Sequence, residues 1–262
     1  MFDFVNFAAA KMQFFLLVML RASGLFLMAP ILSHRTIPTS AKIGLVILLS
    51  LILVSTLNTV NIPPVASLAE LVTLAGKELL VGLAIGFVFA LLLIGVQVAG
   101  DLVSYQIGFT MANVFDPSSG TQVSVLSQFW ILVATLIFLG LNGHHIMISA
   151  YSDSYQLIPA GHVVMNGNVG ELLMTYSSYV FVIALKLAAP VIASLVLIDV
   201  AMGVLSRLMP SMNVFILGFS VKVAAGLIVV ALSLPLFAYV LEKATGYLND
   251  QLGTLLSAMG RA

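Results

Sequence analysis

Long apolar runs constrain this chain more than any other feature of its sequence. About 20 apolar residues in a helix span the hydrocarbon core of a bilayer. Runs of that length occur at Met12–Ser33, Ile43–Asn61, Leu79–Gly100, Val123–Leu141, Tyr176–Ile198 and Val221–Leu241. The chain is 61% hydrophobic and only 8% charged, which excludes an ordinary soluble domain. The sequence therefore predicts an all-α polytopic membrane protein, with about six long apolar helices in kinked hairpins and a single domain over residues 1–262.

Several other classes of protein are disfavoured by pattern and composition. No alternation of apolar and polar residues at period two favours a transmembrane barrel. The start, Met1-Phe2-Asp3-Phe4, lacks the basic flank of a cleaved signal peptide. The chain has no cysteine, so disulfides and thiolate metal sites are excluded. Its net charge is zero, and no basic patch indicates nucleic-acid binding.

Charged residues interrupt the apolar runs. On insertion scales, a charge at the centre of a membrane helix costs roughly 2.5–3.5 kcal/mol, so such a group usually pairs with another or faces a cavity. Lys186 and Asp199 are 13 residues apart in one run, nearly 20 Å along a helix. Each therefore needs a partner from another helix or another subunit, and Asp101 and Glu78 are candidates. The charges that we predict to be buried between helices or subunits are Arg21, Glu78, Asp101, Lys186, Asp199, Arg207 and Lys222.

Two chemical uses of these polar residues remain open alternatives. Arg21, Lys186 and Asp199 would form an ion relay in an ion- or solute-coupled secondary transporter. The matching interrupted halves common in transporters are not visible here, which favours structural pairing. His144 and His145 suggest a metal site or a membrane hydrolase, but adjacent helical residues point about 100° apart and no catalytic motif frames them. The sequence predicts no enzyme activity and no cofactor.

Small residues and prolines predict how the helices pack and where they end. Gly82, Gly86 and Ala90 recur at four-residue spacing, which lets two helix backbones approach closely. Pro30 should end or kink the first helix, and Pro235 should kink the last. The tail from Glu242 to Ala262 is typical of an amphipathic helix, whose apolar positions are Leu248, Leu252, Leu255 and Leu256.

The stretch from Gly100 to Gln122 differs in kind from the runs around it. It is half polar, rich in Phe, Met and Gly, and contains the turn sequence Asp116-Pro117-Ser118-Ser119-Gly120. Pattern alone favours equally a re-entrant or pore-lining loop and an exposed amphipathic connection. The longest connection is predicted between Leu141 and Tyr176.

Lys and Arg residues do not settle the orientation in the membrane. Under six spans, four of them fall in the loops of one side and four in the loops of the other. The positive-inside rule therefore predicts neither orientation, which is typical of a protein positioned by its partners. The residues of one side are Lys11, Lys77, Lys243 and Arg261, and those of the other are Arg35, Lys42, Arg207 and Lys222.

Taken in order, the motifs resemble one family. They are Arg21 with Pro30, Glu78 with Gly82 and Gly86, Ala99-Gly100, Gln106-Ile107-Gly108, Asp116-Pro117, Gly143-His144-His145 with Ser154 and Pro159, and Arg207 with Pro210 and Met212-Asn213-Val214-Phe215. This order is similar to that of the FliR family of flagellar biosynthetic proteins and their counterparts in type III secretion export gates. The Pro-x-Met-Asn segment and Asp-Pro are its most specific parts. Ser211 departs from the glutamine expected there.

The resemblance implies a non-enzymatic subunit of the flagellar export gate. Such a subunit resembles a fusion of FliP and FliQ, and with them it forms a hollow helical assembly in the bacterial inner membrane, at the flagellar basal body. FlhB-like and FlhA-like components are further implied partners, and unfolded flagellar proteins are the implied substrates. The loop expected to plug the closed pore consists of Gly108, Phe109, Thr110, Met111, Ala112, Asn113, Val114 and Phe115.

Overall fold

A computed structural model describes residues 2–33, 37–57, 67–109, 124–164, 167–211 and 213–260. Helices make up nearly all of this part of the chain, and no strand occurs in it, which confirms the all-α prediction. In chain order they are α1 (Phe2–Met28), α2 (Thr39–Thr56), α3 (Leu68–Ile107), α4 (Val125–Gly140), α5 (Gly143–Leu157), α6 (Gly167–Leu208) and α7 (Val214–Gly260).

The number of membrane-spanning helices agrees with the prediction. Among the described residues, five helices are long and apolar enough to cross a membrane, and the bent pair α4 and α5 brings the number to six if it forms one broken span. The two members of this pair meet at 64°. The corner is Asn142, which adopts a left-handed conformation with φ of 57°, and asparagine tolerates this region better than most residues.

Several helix ends differ from the predicted ones. The helix predicted to end at Gly100 continues as α3 to Ile107, because Val103 and Ile107 extend its buried face. It ends where Gly108 adopts a φ of 99°. The long connection predicted between Leu141 and Tyr176 instead contains α5 and the start of α6.

The two predicted effects of proline have different outcomes. The first helix ends at Met28, as expected just before Pro30. The last helix continues through Pro235, so this proline does not end it, and the predicted kink there stays a prediction. The predicted amphipathic tail is therefore the end of α7 and not a separate helix, although its four leucines, from Leu248 to Leu256, are buried as predicted.

The described contacts divide the chain into two compact units. Unit 1 comprises Met1–Leu91, Asn142–Ser177 and Thr245–Ala262. It contains α1, α2, α5, the first part of α3, the start of α6 and the end of α7. Its core includes Val18 from α1, Ile85 from α3, Tyr151 from α5 and Leu255 from α7.

Unit 2 comprises Leu92–Leu141 and Ser178–Ala244. It contains the end of α3, α4, the main part of α6 and the first part of α7. Trp130 of α4 packs edge-on against Phe237 of α7, with ring centroids 5.3 Å apart, a favourable geometry for two aromatic rings. The prediction of a single domain over 1–262 stays a prediction.

Candidate functional site

A buried ion pair joins α1 to α3 in unit 1. Arg21 Nε donates to Glu78 Oε2 at 2.6 Å, and both side chains are fully buried. The remaining arginine nitrogens donate to Ser154 Oγ of α5 at 2.9 Å and to the carbonyl of Ile158 at 3.1 Å. The guanidinium also lies 3.9 Å from the ring centroid of Tyr155. Each of the three guanidinium nitrogens of Arg21 thus has a hydrogen-bond acceptor within the chain.

The second oxygen of Glu78 completes this cluster. Glu78 Oε1 accepts a hydrogen bond from the backbone N–H of Gly161 at 2.8 Å. Because buried charges are costly unless paired and hydrogen-bonded, the arrangement fixes α1, α3, α5 and the segment after α5 in one register. A buried ion pair with these additional hydrogen bonds acts as a structural element that connects the helices.

Glycines bring the backbones of α1 and α3 together beside this ion pair. A methyl group at Gly82 would meet the Arg21 carbonyl and lie 2.9 Å from the Leu25 nitrogen, and one at Gly86 would lie 2.8 Å from the Leu25 carbonyl. Gly24 of α1 faces α3 in the same way, against Leu79 and Leu83. The structure thus places Gly82 and Gly86 at a close helix contact, whereas Ala90 is only partly buried.

Polar contacts hold the end of α3 in unit 2. Gln106 Nε2 donates to Asp199 Oδ2 of α6 at 3.0 Å, and Lys222 of α7 forms an ion pair with Asp199 Oδ1. Ser104 Oγ is hydrogen-bonded to Ser124 Oγ, the residue that caps α4. We call these five residues the anchor cluster. It joins α3, α4, α6 and α7, and it holds together the two ends of the segment between residues 109 and 124.

The turn after α3 directs the chain away from the helix. Ser104 O accepts hydrogen bonds from the N–H groups of both Gly108 and Phe109, at 3.1 Å each. Gly108 has a φ of 99°, a conformation that favours glycine. The Phe109 ring is partly exposed. The other predicted plug residues, Thr110, Met111, Ala112, Asn113, Val114 and Phe115, lie outside the described residues.

Three of the remaining predicted charges are exposed in the single chain. They are Asp101, Lys186 and Arg207, and none of them has an ion pair or a hydrogen-bonded side chain within the described ranges. The chain by itself therefore does not bury them, and burial by another subunit stays a prediction. Asp199 did find its partner on another helix, but that partner is Lys222 and neither of the two candidates named from the sequence.

The histidine pair lies at the start of α5. His144 and His145 lie in the first turn of α5, with ring centroids 4.2 Å apart. In the described part of the chain, no three His, Cys, Asp or Glu side chains form a group that could hold a metal ion.

Comparison with known proteins decides the family. A model described as bacterial export proteins, family 1, matches residues 12–247. This chain belongs to that family. The flagellar biosynthetic protein FliR of Bacillus subtilis strain 168 is 33% identical over 250 residues, covering 94% of this chain and 95% of the relative. FliR of Escherichia coli K12 is 30% identical over 241 residues, covering 92% of each. FliR of Pectobacterium carotovorum is 31% identical over 257 residues, covering 98% of this chain.

Membership of the bacterial export family settles the broad role of this membrane protein. It is a component of the flagellar type III export apparatus and not an enzyme. The resemblance to the FliR family, which was based on motifs between Arg21 and Phe215, is confirmed. The motifs that carried it include Arg21, Glu78, Gly82 and Gln106, whose side chains or backbone form the contacts described above.

Proposed function

We propose that this chain forms, with FliP and FliQ, the export pore through which unfolded flagellar proteins leave the cytoplasm. FlhB-like and FlhA-like components would contact the assembled gate, in the inner membrane at the flagellar basal body. Membership of the bacterial export family and the five or six apolar helical spans in the described part of the chain support this assignment.

One observation supports a gating role for residues 108–115 in particular. The anchor cluster fixes the helices on both sides of the segment, while Gly108 turns the chain out of α3 and leaves Phe109 partly exposed. A segment with fixed ends and an apolar, adaptable sequence suits a pore seal. Apolar constrictions close pores by excluding water, and methionine adapts to varied surfaces.

Deletion of the segment tests this role. Removing Thr110–Phe115 leaves Ile107 in place, which matters because its buried side chain packs against Gly226 of α7. The assembled apparatus carrying this deletion should leak ions and small molecules across the membrane, while still assembling. A control deletion of the same length in the connection between α2 and α3, residues 58–63, should not produce a leak in complexes that assemble. A deletion variant that assembles fully and leaks no more than the parent apparatus would contradict the gating role.

A further inference from the structure

A groove on unit 2 has the features of a binding surface for another helix. It lies between α6 and α7 and has a volume of about 330 Å³. Apolar side chains line it, among them Ile183 and Leu236, and two lysines, Lys186 and Lys243, border it. The volume is at the small end of the roughly 300–1,000 Å³ of ligand pockets, so it accommodates a few side chains of a packed helix.

Lys186 is the unusual member of this groove. It is exposed, and it makes no hydrogen bond or ion pair in the part of the chain that the structure describes. Its exposed neighbours on α6, Val182 and Leu185, are apolar, so the surrounding surface suits lipid or a partner helix. A lone charge in such a place is costly and is usually paired.

The position of Lys186 along α6 decides which anion can reach it. Lys186 is ten residues after Tyr176 and twelve before Ile198, the two ends of its apolar run. At 1.5 Å per residue, each end is about 15 Å or more away, farther than the four-carbon stem of lysine extends. Lipid phosphates lie beyond the ends of apolar spans, so a phosphate is the wrong anion for this depth.

Lys243 has a different environment in the same groove. It follows the last apolar run by two residues, and its Nζ lies 5.8 Å from the ring centroid of Tyr239, within the range of a cation–π contact. Its charge is therefore close to the polar end of its span. This contrast leaves Lys186 as the group that needs an anion inside the membrane.

We propose that this groove binds an apolar membrane helix of another export-apparatus subunit, and that an Asp or Glu in the middle of that helix pairs with Lys186. The apolar lining receives the apolar side chains of the helix, and the carboxylate neutralises the lysine. The claim that the bound helix belongs to the same apparatus rests on the proposed function. The claim that its carboxylate pairs with Lys186 rests on the apolar groove and on the unpaired charge of Lys186.

Photocrosslinking from the groove identifies the occupant. Tyr239 lines the groove and is 57% exposed, so a photoreactive phenylalanine analogue fits in its place. Phe181 is the matched control, since it is an aromatic residue on α6 that is 64% exposed and does not line the groove. In membranes containing the complete apparatus, Tyr239 should crosslink to an apolar helix with an Asp or Glu within one turn of the adduct. Crosslinks to lipid alone, to a second copy of this chain, or to nothing would overturn the proposal.

A charge exchange then tests the pairing. Lys186→Glu should lower the Tyr239 crosslink by about tenfold or more, since close interfacial charge pairs are coupled by at least that much. Changing the partner's acidic residue to lysine should restore it. Lys77→Met, which removes a lysine from α3, should leave the crosslink unchanged. No loss with Lys186→Glu, or no recovery in the double variant, would contradict the pairing.

These outcomes are distinct from those that test the pore. A Thr110–Phe115 deletion that does not leak would contradict the proposed gating role, and the Tyr239 crosslink would still report the groove's occupant. Conversely, a crosslink to lipid alone would overturn the groove proposal while leaving the leak assay to decide the pore.

Discussion

Arg21 Nε and Glu78 Oε2 lie 2.6 Å apart, with neither side chain exposed, although 57 positions separate the two residues in the chain. Removing one partner of a buried pair leaves the other charge uncompensated, which costs about 3–5 kcal/mol. Arg21→Met should therefore lower the free energy of unfolding in detergent by roughly that amount. Arg207→Met is the control, because Arg207 is exposed and should change stability little.

The double variant Arg21→Met/Glu78→Met separates pairing from packing. If the pair is coupled, this variant should lose clearly less stability than the sum of the two single losses, because no charge is left buried alone. Chemical denaturation of the four proteins of the cycle measures the coupling. Strictly additive losses would mean that Arg21 and Glu78 act independently.

Gly82→Ala should be destabilising. The added methyl group would meet backbone atoms of Arg21 and Leu25, which cannot rotate away, and overpacking of this kind costs about 1–3 kcal/mol. Gly76→Ala is the matched control on α3, since a methyl group there meets nothing within 4 Å. Because alanine favours helix, that variant should be neutral or slightly stabilising. Thermal unfolding in detergent compares the two, and equal melting temperatures would contradict the close contact.

Gly108→Ala should also be destabilising, but for a conformational reason. Its φ of 99° is a region that residues with a side chain rarely adopt, and the left-handed region costs such residues about 1–2 kcal/mol. A methyl group there would also touch the Phe219 ring at 3.4 Å. Gly203→Ala, in an open helical position, serves as the control. The same unfolding measurement applies, and a Gly108→Ala protein as stable as the parent would show that the turn can relax.

Asp199→Asn should loosen the anchor cluster with little loss of overall stability. The Asp199 side chain is 41% exposed and that of Lys222 is 23% exposed, and pairs with that much exposure contribute only about 0–1 kcal/mol. Because Asp199 holds Gln106 at the end of α3, the expected effect is a larger ion leak through the assembled apparatus. Asp101→Asn is the control. Asp101 is exposed on α3, the helix that carries Gln106, and has no partner in the described ranges. Equal leaks in the two variants would show that the anchor cluster does not contribute to gating.

Local patterns in the sequence predicted the helices and several of their contacts. Apolar runs predicted the membrane helices, and the four-residue spacing of Gly82 and Gly86 predicted a close helix contact. The same kind of pattern could have included Gly24, which lies in the small-residue group Ala22-Ser23-Gly24 on the facing helix. These features depend on neighbours within one helix, and therefore they are visible without the fold.

Pairings between distant residues could not be predicted in the same way. Arg21 and Glu78 were both expected to be buried, but only the fold shows that they bind each other and that Ser154 and Gly161 complete the cluster. Ser104 and Ser124 gave no indication at all, because serine is common in both helices and connections. The end of α3 was misplaced for a related reason: polar residues from Gly100 onward suggested a loop, whereas Ser104 and Gln106 make contacts in unit 2.

The contact between α1 and α3 has a mechanical consequence. Where Gly24 and Gly82 place backbone against backbone, there are no long side chains that could change rotamer and absorb a displacement. The Arg21–Glu78 bond at the same contact resists sliding along the helix axes. We therefore expect α1 and the first part of α3 to move together, because sliding of one against the other would break these contacts.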